Sequence, residues 1–186
     1  GAGRRREGGR ARDAMTEGTR TATAEARVAE LAAAQAGPLG LAVLGVEVVA
    51  GREPAVRVTV DVDVPDHGRL EPGGAPAGGV DVEAIAVLAR TLDAALVADG
   101  AVTADAVVEV ASPGVDRPLV DARDFVRNLG REVEVELADG GRALGRVVAV
   151  GDGHVELAPA GRGRTGAGYM SVALDAVVRA LPVLPW

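Results

Sequence analysis

Val110-Ala111-Ser112-Pro113-Gly114-Val115-Asp116-Arg117-Pro118-Leu119 is the stretch on which the organisation of this chain turns. Two prolines and a glycine constrain its backbone. Ser112, Pro113 and Gly114 fit the first three positions of a type II turn, with proline fixing φ at the second and glycine taking positive φ at the third. Pro118 biases Arg117 toward an extended conformation, because its ring clashes with a helical predecessor. A strand over Val107–Val110 is therefore expected to turn sharply here and continue as a stiff segment joining two domains.

On the N-terminal side the pattern predicts an αββαβ unit over 24–117. Ala24 to Ala36 reads as a helix stopped by Gly37-Pro38, and Leu41 to Ala50 as a strand. Val56, Val58, Val60, Val62 and Val64 alternate with polar residues, the mark of a strand with one buried and one wet face. Pro65 to Gly79 reads as a Gly/Pro loop. Asp81 to Ala98 is helical in period, with Val82, Ile85, Ala89, Leu92 and Leu96 on one stripe. Two helices on one face of a small sheet follow.

On the C-terminal side, 118–186, a short helix over Ala122–Leu129 precedes five β segments. They are Arg131–Ala138, Arg142–Val150, His154–Ala158, Tyr169–Val172 and Val178–Leu181, with one helical turn at Leu174–Val177. Asp139-Gly140-Gly141 and Gly151-Asp152-Gly153 are hairpin signals. Short strands at this spacing predict a small SH3-like (Sm-like) β-barrel, so the fold class is α+β.

Almost half of the 186 residues are hydrophobic, but Phe125, Tyr169 and Trp186 are the only aromatics. The core is thus built from Val, Leu and Ala. The absence of cysteine excludes disulfides and thiolate metal sites and suits a cytoplasmic location. No apolar run approaches the ~20 residues of a membrane span, and no secretory leader is legible. Residues 1–23 are polar and without period, and read as a disordered basic arm. Five arginines in 1–14 sit against Glu7 and Asp13, while the whole chain carries −7. The body is therefore acidic, a poor match for naked phosphate and a good one for a basic protein.

No constellation points to catalysis, and no cofactor or metal ligand set is expected. Gly161-Arg162-Gly163-Arg164-Thr165-Gly166 satisfies G-x-G-x-x-G, but a strand follows where a dinucleotide site needs a helix. It reads as a loop from which Arg162 and Arg164 reach rRNA as the second alternative. Asp61, Asp63, Asp66 and His67 fail the calcium-loop pattern and read as a solvated strand face. His67 and His154 both fall beside turns. Asp116 and Arg117 are the linker's charges. Arg117 either meets a partner or pairs with a carboxylate across the two domains, the second being favoured.

The ten-residue stretch resembles the signature of the ribosome maturation factor RimP family, roughly Val-Ser-Ser-Pro-Gly-Leu-Asp-Arg-Pro-Leu. Ser112, Pro113, Gly114, Asp116, Arg117, Pro118 and Leu119 match it. Leu44-Gly45-Val46-Glu47 resembles the family's first strand and Leu92-Asp93 the end of its second helix, with like order from about Thr23 to Trp186. Ala111 and Ala106 depart from the pattern, and Pro65 to Gly79 is longer than the family loop. The resemblance implies the same two-domain plan and a non-enzymatic, monomeric factor in small-subunit assembly. The implied partners are the free immature small ribosomal subunit and its basic ribosomal protein number twelve, docked by the barrel. An adapter binding proteins or peptides through an SH3-like barrel is the alternative. A direct RNA-binding module lacks its aromatic platform.

Overall fold

A computed structural model describes residues 3–114, 117–159 and 168–183, those before 18 by secondary structure alone. In chain order the elements are α1 (Gly3–Ala36), β1 (Leu41–Val49), β2 (Ala55–Val62), β3 (Gly68–Arg69), α2 (Val82–Asp99) and β4 (Val107–Ala111). Then come α3 (Ala122–Val126), β5 (Glu132–Leu137), β6 (Arg142–Gly151), β7 (His154–Pro159), β8 (Met170–Ala173) and β9 (Val177–Pro182). The chain is α+β and divides into two units, Gly1–Asp63 with Val80–Ser112, and Val64–Gly79 with Pro113–Trp186.

In the first unit β1 pairs antiparallel with β2, and β2 pairs in parallel with β4. The parallel pair needs a crossover, which α2 supplies. Val56, Val58 and Val60 of β2 are fully buried against Val28, Ala32 and Ala36 of α1 and Leu88, Leu92 and Leu96 of α2. The spacing of four on each helix and of two on the strand is what each backbone period requires of a single buried face. Asp81 caps α2 by accepting from the Glu83 N–H at 3.0 Å. Gly100, at φ 71°, ends it. One expectation is corrected. Helix α1 begins at Gly3, not Ala24, so the segment expected to be a disordered arm is helical from its third residue. The apolar stripe stops near Val28, but Ala and Arg keep high helix propensity beyond it.

In the second unit the strand order is β8-β7-β6-β5-β9, with β3 added to β6. All these pairings are antiparallel. The expected strands are present within a residue or two, and Leu174–Ala176 forms a 3₁₀ turn between β8 and β9. The sheet is open: no β8–β9 pairing closes it among the described residues. Its inner face packs Val133, Val135, Val147, Val155, Leu157 and Val172 around Phe125 of α3. At the β6–β7 hairpin Asp152 and Gly153 have φ of 50° and 74°, the paired left-handed residues of a type I′ turn. Gly145 is needed for close approach, since a Cβ there would lie 2.6 Å from the Ala158 carbonyl oxygen on β7.

A second correction concerns 64–79, expected to be a loop of the N-terminal domain. It belongs to the second unit. Leu70 donates its N–H to the Val148 carbonyl at 2.8 Å, and Ala77 to Leu129 at 2.9 Å. Arg131 Nη2 donates to the Ala77 carbonyl at 3.0 Å. Gly130, at φ 82°, lies so close to Pro76 that a Cβ would stand 2.8 Å from its Cα. The chain therefore passes between the units three times, after Asp63, Gly79 and Ser112, and the Pro/Gly stretch is not the sole connection.

Candidate functional site

The signature stretch is anchored, and the anchor is Asp124. This carboxylate is 3% exposed. Its Oδ1 accepts from Arg117 Nη1 at 3.1 Å and from Arg127 Nη1 at 3.2 Å. Its Oδ2 accepts from the Val120 N–H at 2.9 Å. Asp121 caps α3 by accepting from the Asp124 N–H at 2.9 Å, and Asn128 Nδ2 donates to the Asp124 carbonyl at 2.8 Å. A buried carboxylate is tolerable only when its acceptor capacity is met, and here it is met by Arg117 of the signature, the Val120 amide just after it and Arg127 at the end of α3. Leu119 is buried in the second core, and its N–H donates to the Ala180 carbonyl on β9 at 2.9 Å. Arg117 thus pairs seven residues along its own unit, and the expected bridge across domains is not formed.

Gly114 is also corrected. It lies outside the left-handed region, and a Cβ there would meet nothing within 4 Å. Its carbonyl accepts from the Arg117 N–H at 3.1 Å, and its φ does not suit the third position of a type II turn. Ser112 and Pro118 are exposed and Pro113 is half-buried. Asp116, Arg162 and Arg164 lie outside the described residues.

A cleft of about 770 Å³ lies in the second unit at a place that the sequence did not point to. Its origin is simple. Ala149 and Gly151 of β6 occupy one face of a strand flanked on both sides by longer side chains. Arg69 of β3 and Glu156 of β7 pair in register with Ala149, and their side chains meet over it at 3.2 Å. His154 pairs with Gly151, and His67, one residue before β3, lies 3.8 Å from where a Gly151 Cβ would be. Small residues make the floor, and both histidines, Arg69 and Glu156 make the walls. Asp66, Asp152, Ala122 and Leu174 complete the lining.

Both imidazoles are oriented by a neighbour. His154 Nδ1 lies 2.9 Å from the Asp152 carbonyl oxygen. A carbonyl only accepts, so Nδ1 carries the proton and Nε2 is left as an acceptor in the neutral ring. His67 Nδ1 lies 3.0 Å from Asp66 Oδ1. That hydrogen bond holds the Asp66 carboxyl below the usual carboxylate range, with His67 and Arg123 adding through-space attraction. No group of three potential ligands is placed to hold a metal ion among the described residues. The spacing of His67 and His154 carried no sequence signal, because strand β3 has only two residues and no alternation to read.

Elsewhere the exposed surface carries registered charge rows. Glu47, Arg57 and Glu109 align across β1, β2 and β4, with Arg57 3.2 Å and 3.0 Å from its partners. On β6, β5 and β9 the signs invert, as Glu136 stands between Arg142 and Arg179.

Three curated relatives are similar in sequence, each described as ribosome maturation factor RimP. The one from Frankia casuarinae is 38% identical over 162 residues, 83% of this chain and 55% of that protein. The one from Acidothermus cellulolyticus is 35% identical over 145 residues, 74% of this chain and 76% of that protein. The one from Parafrankia sp. is 36% identical over 141 residues, 62% of this chain and 41% of that protein. The chain thus spans about half the length of the two Frankia-group relatives and three quarters of the third. No family model matches the chain.

Proposed function

The chain belongs to the ribosome maturation factor RimP family, and we propose that it is a non-enzymatic assembly factor for the small ribosomal subunit. The observation that carries the reading is the 35% identity that extends over 76% of the Acidothermus protein. The partners in this reading are the free, immature small subunit and its basic ribosomal protein number twelve, met in the cytoplasm by a monomeric factor. The net charge of −7 supports a basic protein as the direct contact. No helix among the described residues is long and apolar enough to cross a membrane.

The second unit is read as an SH3-like barrel that docks the ribosomal protein. Its support is the strand order, in which the last strand returns to the edge of the first, β5, leaving one seam between chain neighbours β8 and β9. The first unit, with its bare sheet face, is read as the part turned toward the subunit. Differential affinity is a sufficient mechanism. A factor that binds a partly assembled particle better than the finished one raises the population of the former and leaves the latter.

Sedimentation of a cell extract through a sucrose gradient tests this. The factor is expected in the free small-subunit fractions and absent from assembled ribosomes. Recovery at the top of the gradient supports an adapter unrelated to ribosomes, and recovery in every RNA-containing fraction supports a general RNA binder.

A further inference from the structure

We propose that the cleft over Ala149 and Gly151 is a docking site for one basic side chain of an extended peptide, and that protonation of His67 and His154 closes it. The cleft is an acceptor site. At neutral pH its lining offers the Asp66 and Asp152 carboxylates, Glu156, and a free Nε2 on each imidazole. Among the described lining residues Arg69 is the one permanent cation, and it is engaged by Glu156. Three carboxylates against one guanidinium leave the lining with an excess of two negative charges. Many acceptors, few donors and a narrow floor of Ala and Gly fit a guanidinium or ammonium on a slender stem.

The two histidines face the cleft from opposite walls, one on each side of β6. Protonating both converts two acceptors into donors and moves the charge of the lining from two negative to zero. Asp66, whose carboxyl is held below its ordinary range, shares the cleft with Asp152, Glu156 and Arg69. Arg123, on α3, acts on Asp66 only through space and stays charged. An ordinary imidazole changes charge around pH 6 to 7. The site therefore attracts a basic side chain while the imidazoles are neutral and loses that attraction once they are protonated. Only the source of that side chain, a basic ribosomal protein, rests on the function proposed above.

The test uses the full chain and an amidated peptide of alternating Arg and Ser, with a second peptide in which citrulline replaces Arg. Citrulline keeps the shape and removes the charge. Amide resonances of Gly151 and Gly153 report the site at low salt. The Arg peptide is expected to shift them, with an affinity at least tenfold weaker near pH 5.5 than near pH 7.5, and the citrulline peptide to leave them in place at both. Asp152→Asn keeps the residue type tolerated at positive φ and is expected to weaken binding several-fold. His67→Gln with His154→Gln is expected to retain binding and lose its pH dependence. Binding that maps to the exposed charge rows, pH dependence that persists in the double variant, or an oligouridylate shifting the same amides at neutral pH would each overturn the proposal. Should the double variant unfold, equal binding of the Arg and citrulline peptides by the unsubstituted chain decides against it alone. Sedimentation with small subunits is read separately, so loss of either result leaves the other intact.

Discussion

The two units of this chain use ion pairs in opposite ways. In the first, Arg57 lies on a wet sheet face between Glu47 and Glu109, all three about half exposed. In the second, Asp124 is 3% exposed and ties Arg117, Arg127 and the Val120 amide together. The exposed row is set by strand register and screened by water. The buried cluster holds a segment without regular structure in place, and Asp124 and Arg127 within it have almost no solvent to fall back on. Geometry alone would rank the two alike, since their distances span the same 3.0 to 3.2 Å. Burial separates them.

Removing Asp124 should break that comparison most sharply. Asp124→Ala takes one carboxylate from the buried Arg127 and removes the acceptor of the Val120 amide, and should cost about 3 kcal/mol of stability. Chemical denaturation followed at Phe125 would report it. Next comes Gly145→Ala, whose added methyl meets the Ala158 carbonyl and the Leu157 Cβ at 2.9 Å. Backbone must move there, and a loss of about 1–3 kcal/mol is expected in the same unfolding measurement.

Arg57→Ala should be far milder than Asp124→Ala, and its effect should vanish in molar salt; an effect of equal size would erase the distinction between the two regions. Arg27 sharpens the same point in the first unit. It lies side-on to Asp99, with Nε 3.0 Å from Oδ1, and this bond holds the Asp99 carboxyl below its ordinary range. The sign follows: the pair's stabilisation is present above the ordinary carboxylate pKa and is lost as pH falls through the depressed folded value. Arg27→Gln should return the Asp99 carboxyl resonance to an ordinary titration. Smallest of all is Gly114→Val, because no left-handed φ and no neighbour oppose a side chain there. A large loss of thermal stability in that variant would restore the type II turn that the structure does not contain.

Regular elements were legible in the sequence because each had a period. Val56, Val58 and Val60 are read from alternation, and the β5–β6 and β6–β7 turns from hairpin glycines; of the stripe read on α2, Leu92 and Leu96 are buried, Val82 is exposed, and the buried Leu88 was not on it. What escaped had no period. Gly68–Arg69 is too short to alternate, so the histidine-walled cleft that it helps build stayed hidden. Helix α1 extends past its apolar stripe on propensity alone. The partner of Arg117 was within reach, since Asp121-x-x-Asp124 is the spacing of a capped helix start and puts a carboxylate seven residues on. Attention to Pro113 and Gly114 as a hinge drew the reading away from it.

The central claim is that the end of the signature stretch, from Arg117 to Leu119, is bolted into the second unit, and a double-mutant cycle on Arg117 and Asp124 tests it most directly. Unfolding free energies of Arg117→Ala, Asp124→Ala and the double variant give their coupling. The account predicts about 1 kcal/mol or more, the range expected of residues sharing one ionic cluster. Additive losses, with coupling near zero, would contradict it and return Arg117 to the role of a free linker charge.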